Sequence, residues 1–232
     1  MTTTVEALIY SRRGIADNTV EIVFDARAHH LDFIAGQYMT VTVHGLEHLD
    51  IQKQFHDFSI ASSPNHPEKL TITFRISQSS FKQTLLNAPL GTPVTIEGPK
   101  GIFTLPHTPE RHLVFIAGGI GVTPFMSIIS FTTENKLPYI ITLFYYNRSK
   151  ESAVYLVELE SLAHDNPLFS FVPIYGPLDA NEIQDHIKKQ SKETLLFYIA
   201  GPPGMVQEAR LVLKTEMIKD DTIKTEEFTG YL

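Results

Sequence analysis

Seven residues, Gly118-Gly119-Ile120-Gly121-Val122-Thr123-Pro124, do more than any others to limit the folds open to this chain. They follow an apolar strand-like run, His112 to Ala117, and open a helix-like run, Phe125 to Asn135. A strand that turns through closely spaced glycines into a helix brings bare backbone amides up to a phosphate. Thr123 is placed to cap that helix and Pro124 to fill its first turn, where a missing N–H costs nothing. Pro124 stands where the generic dinucleotide fingerprint has its third glycine. Gly118, Gly119, Gly121, Thr123 and Pro124 are therefore read as cofactor-binding. A second turn of this kind, Ala200-Gly201-Pro202-Pro203-Gly204-Met205, follows the strand-like run Leu195 to Ile199. Ligands of open parallel sheets settle beyond the carboxyl ends of the strands. Gly201, Pro202, Gly204 and Met205 are thus expected to grip one extended ligand from the side opposite the first turn.

The two parts of the 232-residue chain differ in texture. From Thr4 to Gly98, short runs rich in Val, Ile, Thr and Phe recur: Val20 to Ala26, Tyr38 to Val43, Phe55 to Ala61, Leu70 to Ile76 and Pro93 to Glu97. Two of them alternate with the period of half-buried strands, and the set predicts a small antiparallel β-barrel. One helix, Phe81 to Asn87 with Ser79 or Ser80 as cap, interrupts it. After Pro106 strands and helices alternate, predicting a doubly wound parallel α/β sheet of the Rossmann-like type. Its elements are His112 to Ala117, the Phe125 helix, Tyr139 to Tyr146, a helix from Ala153 to His164, and Phe169 to Tyr175. A helix near Ala180 to Gln190, Thr194 to Ala200, a helix from Pro203 to Met217, and Ile223 to Phe228 follow. The expected boundary falls in Leu105-Pro106-His107-Thr108-Pro109, giving domains 1–106 and 107–232.

Composition removes several functions. The chain has no cysteine, which excludes disulfides, thiolate metal sites, a catalytic thiol and a cysteine-held iron–sulfur cluster on these residues. A formal net charge of -7 argues against nonspecific binding to nucleic acid or anionic membranes. His44 and His48 are read as loop histidines, and no metal site is expected. The uncharged stretch Leu113 to Phe131 is long enough to span a bilayer, but its glycines and Thr-Pro demand a turn at its centre. No membrane span and no secretory signal are expected, and the chain reads as cytoplasmic.

A third constellation lies in the first half. Phe55-His56-Asp57-Phe58-Ser59-Ile60-Ala61, with Gln37-Tyr38 upstream and Ser79-Ser80 downstream, contains the parts that hold a flavin. An aromatic ring such as Tyr38 or Phe58 packs on the isoalloxazine, hydroxyls and amides meet its heteroatoms, and a helix start faces a pyrophosphate. Phe58 to Ala61 reads equally as an ordinary buried strand. Arg148, with Ser149 and Lys150, follows the second strand of the α/β part, where an adenosine ribose lies. A cation there, with no acid at the strand end, favours NADPH over NADH.

In order, Gly36-Gln37-Tyr38, Phe58-Ser59-Ile60-Ala61-Ser62, Gly98-Pro99-Lys100-Gly101-Ile102-Phe103, the two glycine turns and Glu226-Glu227-Phe228 run through nearly the whole chain. This ordered set resembles the ferredoxin–NADP reductase family of flavoproteins. The resemblance implies a flavin-binding barrel (FAD, with FMN as the alternative) followed by a nicotinamide-dinucleotide domain, the two cofactors meeting in the cleft between them. It implies that Phe58 packs on the flavin and that the Ser59 hydroxyl approaches N5. His56 stands where the family has an arginine for the pyrophosphate, leaving Ser79, Ser80 and a substitute cation, Arg75, to meet the phosphates. Ser59, Glu226 and Phe228 become the catalytic candidates, with Ile60 beside them and Tyr231 as an alternative shield for the ring. Ala200 replaces a cysteine common in the family and is expected to leave open space beside the nicotinamide. The implied activity is NAD(P)H oxidation, with electrons passed singly to a carrier such as ferredoxin, flavodoxin or an oxygenase component. Arg12, Arg13, Lys82 and Lys100 are the candidates for its docking cluster. The alternatives are an oxygenase reductase component, a free-flavin reductase, or a non-catalytic nucleotide-binding module.

Overall fold

The computed structural model describes residues 2–44 and 54–228. Tyr231 and His48 lie outside the described residues. The first half is an antiparallel six-stranded sheet. Its strands are β1 (Thr3–Ala16), β2 (Thr19–Asp25), β3 (Tyr38–Val43), β4 (Phe55–Ser59), β5 (Lys69–Arg75) and β6 (Pro93–Lys100), in the order β4-β3-β6-β1-β2-β5. Helix α1 (Ser80–Asn87) lies between β5 and β6. Inward side chains of these strands, among them Ile22, Phe24, Met39, Val41, Ile72 and Ile96, form one buried cluster that α1 joins through Phe81 and Leu85.

Strand β1 is absent from the sequence reading. Its core side chains are the period-two set Val5, Ala7 and Ile9, but Leu8 and Tyr10 on the opposite face are also apolar, which blurs the alternation. It pairs with β6 along its first half and with β2 along its second, shifting register at two bulges. Arg12 then reaches α1, donating to the Leu85 and Ala88 carbonyls at 2.9 and 2.7 Å. Those carbonyls belong to the end of the helix, where a cation is favourable.

The second half is a parallel sheet of β7 (His112–Gly118), β8 (Ile141–Asn147), β9 (Phe169–Tyr175), β10 (Leu195–Gly201) and β11 (Ile223–Glu227), in the order β11-β10-β7-β8-β9. The central strands β8 and β10 are buried at every residue, as strands covered on both faces must be. Helices α2 (Thr123–Glu134) and α3 (Leu156–Asp165) pack into one cluster; α4 (Ala180–Lys188) and α5 (Pro203–Thr215) pack into another on the opposite face. The doubly wound expectation holds. Helix α3 starts three residues later than expected, because Tyr155 takes φ 59° and ends the preceding turn. Among the described residues no helix is long and apolar enough to cross a membrane.

Strand order reverses between β7 and β10, and there the two glycine turns touch. A Cβ on Gly121 would stand 2.3 Å from the Ala200 carbonyl oxygen, and one on Gly118 would meet the Met205 sulfur. The turns pack directly on each other. Ala200 is fully buried in that contact instead of bordering open space.

The halves are joined by polar contacts as well as by packing. Tyr155, from the α/β half, bonds Thr73 of β5 at 2.5 Å, and the Ser127 hydroxyl donates to the Ser62 carbonyl at 2.7 Å. Arg13 spans the joint between Glu21 and Glu158. Tyr198 and Lys224 both donate to the Thr104 carbonyl in the connecting segment.

Two tests follow from this architecture. Gly121→Ala is expected to destabilise the fold by more than about 2 kcal/mol, since backbone must move to admit the methyl. Gly204→Ala, where nothing lies within 4 Å of an added Cβ, is expected to be neutral or slightly stabilising. Urea denaturation of both variants checks the contrast. At the amino edge of the parallel sheet, His186 accepts from Gln190 at 3.0 Å, and Gln190 accepts from His112 at 2.7 Å. Burial, then the facing His112 and Lys189, lower His186 from 6.5 to about 4. A folded state that keeps this imidazole neutral is at full strength above pH 6.5 and weakens as pH falls toward 4. The denaturation midpoint should fall over that window and fall less in His186→Leu.

Candidate functional site

A cleft of about 620 Å³ opens between the two halves, within the usual size of a cofactor site. The barrel supplies its floor. Antiparallel pairing sets Tyr38, the first residue of β3, opposite Ser59, the last of β4. The Tyr38 ring is held edge-on by Gly101, whose φ of 94° and closeness to the ring (2.9 Å from an added Cβ) leave no room for a side chain. Phe58 faces the barrel mouth, packed against Phe74 and Phe81 at 5.8 and 6.0 Å between ring centres. It keeps an edge on the cleft.

The α/β half closes the other side with Ile120 and Thr123 from the first glycine turn and with Glu226, Glu227 and Phe228 at the end of β11. Parallel pairing of β10 with β11 sets Glu226 beside Ala200, and the Phe228 N–H donates to the Gly201 carbonyl at 3.0 Å. Glu226 thereby reaches the barrel: its Oε1 lies 3.4 Å from the Ser59 Oγ. Burial pushes the Glu226 carboxyl up to about 7, against the opposing effect of the Ser59 hydrogen bond. It is a proton-holding group poised near neutral pH, in the cleft between the halves.

The basic groups of the cleft are His56, Arg75 and Lys82. His56 sits edge-on to Phe81 at 4.8 Å, and burial, then the neighbouring Lys82, lower its pKa against the opposing effect of Asp57. Arg75 runs from the end of β5 toward the first glycine turn, where its Nη2 stands 3.1 Å from an added Gly119 Cβ. Its Nε is buried without a partner among the described residues. Buried donors of this kind, aromatic faces and a neighbouring hydroxyl–carboxyl pair together fit the heteroatoms, ring and phosphates of a flavin.

Of the residues singled out in sequence, Tyr38, His56, Phe58, Ser59, Arg75, Thr123, Glu226 and Phe228 line this cleft. Ile60 does not; it is fully buried in the barrel core. Ser79 holds the cap position of α1 but makes no capping bond, and Ser80 begins the helix without lining the cleft. Thr123 is helical rather than a cap. A 3-10 turn, Gly119–Val122, precedes it, and its hydroxyl donates back to the Ile120 carbonyl at 3.0 Å. Pro124 lies in the first turn, as expected. Gly118, Gly121, Gly201, Pro202, Gly204 and Met205 stand at the carboxyl edge of the sheet, outside the cleft lining, and Arg148 is exposed beyond β8. Of the residues expected to form a basic docking cluster, Arg12 binds α1, Arg13 pairs with Glu21 and Glu158, Lys82 lines the cleft, and Lys100 pairs with Glu97 at 3.0 Å. Thr73 and Lys82 were missed as cleft residues. Neither carries a sequence signal beyond its place on a strand or helix, and only the meeting of the halves brings them to the site.

Comparison with known proteins agrees with this geometry. Residues 5–104 match the family profile of the FAD-binding domain, and residues 115–211 match that of the oxidoreductase NAD-binding domain. The anthranilate 1,2-dioxygenase electron transfer component of Acinetobacter baylyi is 26% identical over 226 residues, covering 92% of this chain and 64% of that protein. A component of the Na(+)-translocating NADH-quinone reductase of Klebsiella pneumoniae is 33% identical over 159 residues, covering 60% of this chain and 38% of its own length. The chain thus spans 64% and 38% of these two curated relatives. Among solved structures, an Amycolatopsis cytochrome P450 reductase superposes with a TM-score of 0.84 at 22% identity, over 98% of this chain and 70% of that one. Ferredoxin-NADP+ reductase from Plasmodium falciparum does so with 0.77 at 17% identity, over 97% and 96%. Both share the fold.

The raised Glu226 carboxyl makes a testable contribution to stability. Its protonated form is favoured by folding, so the stabilisation is complete below pH 4.5 and is lost as pH rises through about 7. Glu226→Gln should abolish that loss, which thermal unfolding of both proteins from pH 4.5 to 8 would reveal.

Proposed function

The chain belongs to the ferredoxin–NADP reductase family of flavoproteins, and from that premise we propose that it is a flavin-dependent NAD(P)H oxidoreductase that passes electrons to a separate one-electron carrier. The observation that carries this reading is the 3.4 Å approach of Glu226 to Ser59, a carboxyl of one half against a hydroxyl of the other, in the cleft they share. When bound, the flavin supplies a hydride acceptor that can release electrons singly. The chain's own residues do the rest. Tyr38 and Phe228 offer the aromatic surfaces that shield a planar ring and exclude water. Ser59 presents a hydroxyl at the cleft floor, and Glu226, near neutral pKa, holds or returns a proton at the Ser59 Oγ. With His56 in place of the family's arginine, Arg75 and Lys82 are the cations for the flavin phosphates.

Without cysteine these residues hold no cysteine-bound cluster, so electrons leave them for another redox centre. The names of the dioxygenase relatives, electron transfer components, support an oxygenase component or a ferredoxin as acceptor. The reading includes a boundary between residues 106 and 107 and a cytoplasmic location, where reduced nicotinamide dinucleotide is regenerated.

Added FAD should give a yellow protein that bleaches under anaerobic NADH or NADPH. Ser59→Ala and Glu226→Gln are expected to slow bleaching by about 10²-fold while keeping the flavin bound. A protein indifferent to flavin would instead favour the non-catalytic module, the reading to which His56 in place of the arginine lends support.

A further inference from the structure

Tyr155 is buried, and its backbone stands in the left-handed region at φ 59° and ψ 23°. For a bulky aromatic residue that conformation is an outlier, and strain of this kind, about 1–3 kcal/mol, persists only where the surroundings impose it. Here they do so from both sides. The preceding residue, Val154, donates its N–H to the Tyr145 hydroxyl at 2.9 Å, and that hydroxyl donates in turn to the Gly119 carbonyl at 3.1 Å. The Tyr155 hydroxyl is bonded to the Thr73 hydroxyl at 2.5 Å. Gly119 belongs to the first glycine turn, and Thr73 lines the barrel side of the cleft. Two consecutive residues thus tie the dinucleotide-type turn of one half to the flavin-type floor of the other.

The same stretch of chain meets the barrel in further places. The Asp17 N–H, between β1 and β2, donates to the Glu151 carbonyl at 2.9 Å, and Glu158, in the first turn of α3, pairs with Arg13 at 3.1 Å. Ile15 and Ala16 pack against the cluster that contains Ala153, Val154 and Tyr155. Of these contacts, only the Tyr155–Thr73 bond ends on a residue of the cleft, and the Arg13–Glu158 pair is exposed, where ion pairs contribute little.

We infer that Tyr155 is a positioning residue that sets the spacing between the cleft floor and the first glycine turn, and with it the rate at which a hydride passes from the dinucleotide to the flavin. The inference rests on the oxidoreductase reading above. Tyr155 itself is not among the residues lining the cleft, so it acts through Thr73. Phe74 and Arg75 follow Thr73 on β5 and also line the cleft, so a shift of this strand moves several floor residues together. At the other end Tyr145 fixes the Gly119 carbonyl, and a trans peptide then turns the N–H of Ile120, a cleft residue, the opposite way. Transfer depends steeply on such spacing: a misplacement of about 1 Å can slow it about 10²-fold.

The test uses the full chain with added FAD. Tyr155→Phe keeps the ring and removes the hydroxyl. It is expected to bind FAD and NADH within about threefold of the wild type, yet to slow anaerobic bleaching at saturating NADH by about tenfold or more. Tyr145→Phe, which releases the other end, should act the same way and carries the test if Tyr155→Phe does not fold. Glu158→Gln, which breaks only the exposed pair, should leave the rate unchanged. A second readout needs no cofactor. The chain has no cysteine, so spin labels on cysteines introduced at the exposed Glu6 and Glu208, one in each half, report the distance between the halves. The wild type is expected to give one narrow distribution and Tyr155→Phe a broader or shifted one. If Tyr155→Phe keeps the rate, or loses it only in proportion to FAD affinity, the tyrosine is a packing residue and the inference fails. An unchanged distance distribution, or an equal loss of rate in Glu158→Gln, overturns it as well. A wild type that takes up FAD but is bleached by neither NADH nor NADPH overturns the oxidoreductase reading itself, and this inference with it.

Discussion

Where strand order reverses between β7 and β10, the backbone of Gly121 lies against that of Ala200 and Gly201 with no space for a methyl group between them. Close approach of this kind is available only to glycine, because any side chain would push the two turns apart. The position of the whole carboxyl edge depends on it. With β10 drawn against the first turn, its neighbour β11 carries Glu226 and Phe228 to the mouth of the barrel. A wider turn would leave the Ser59 hydroxyl without its carboxyl. The glycines that looked in sequence like phosphate cradles are packing residues as well.

Electrostatics in the cleft follows from the same enclosure. Burial disfavours charge, so it raises the carboxyl of Glu226 and lowers the imidazole of His56. Both shifts move the group toward its neutral form. The positive charge left in the cleft sits on Arg75 and Lys82. That division separates the Ser59–Glu226 corner from a cationic one. With His56 where the family has an arginine, the cleft still holds cations.

Much of the architecture was legible before any coordinates. The β-then-α/β division, the positions of most strands and both glycine turns follow from periodicity and turn chemistry, which are local properties of short windows. The failures were local too, and each had a competing cause. Strand β1 escaped because Leu8 and Tyr10 put apolar side chains on its outer face as well. Helix α3 began late because Tyr155 adopts a left-handed conformation that nothing in its identity announces. Ser79 stands at a cap position without capping.

By itself the sequence determined which elements form, which chemistries are closed to a chain without cysteine, and which segments carry flavin- and dinucleotide-type residues. Tertiary structure alone decided which of those side chains meet. Ser59 and Glu226 are separated by 167 positions, and their contact requires the register of β3 with β4, the register of β10 with β11, and the docking of one half on the other. Lys82 entering the cleft and Arg12 committed to a helix end are outcomes of the same kind. Periodicity and turn preference act within a few residues, whereas burial and hydrogen-bond satisfaction depend on what distant segments bring alongside.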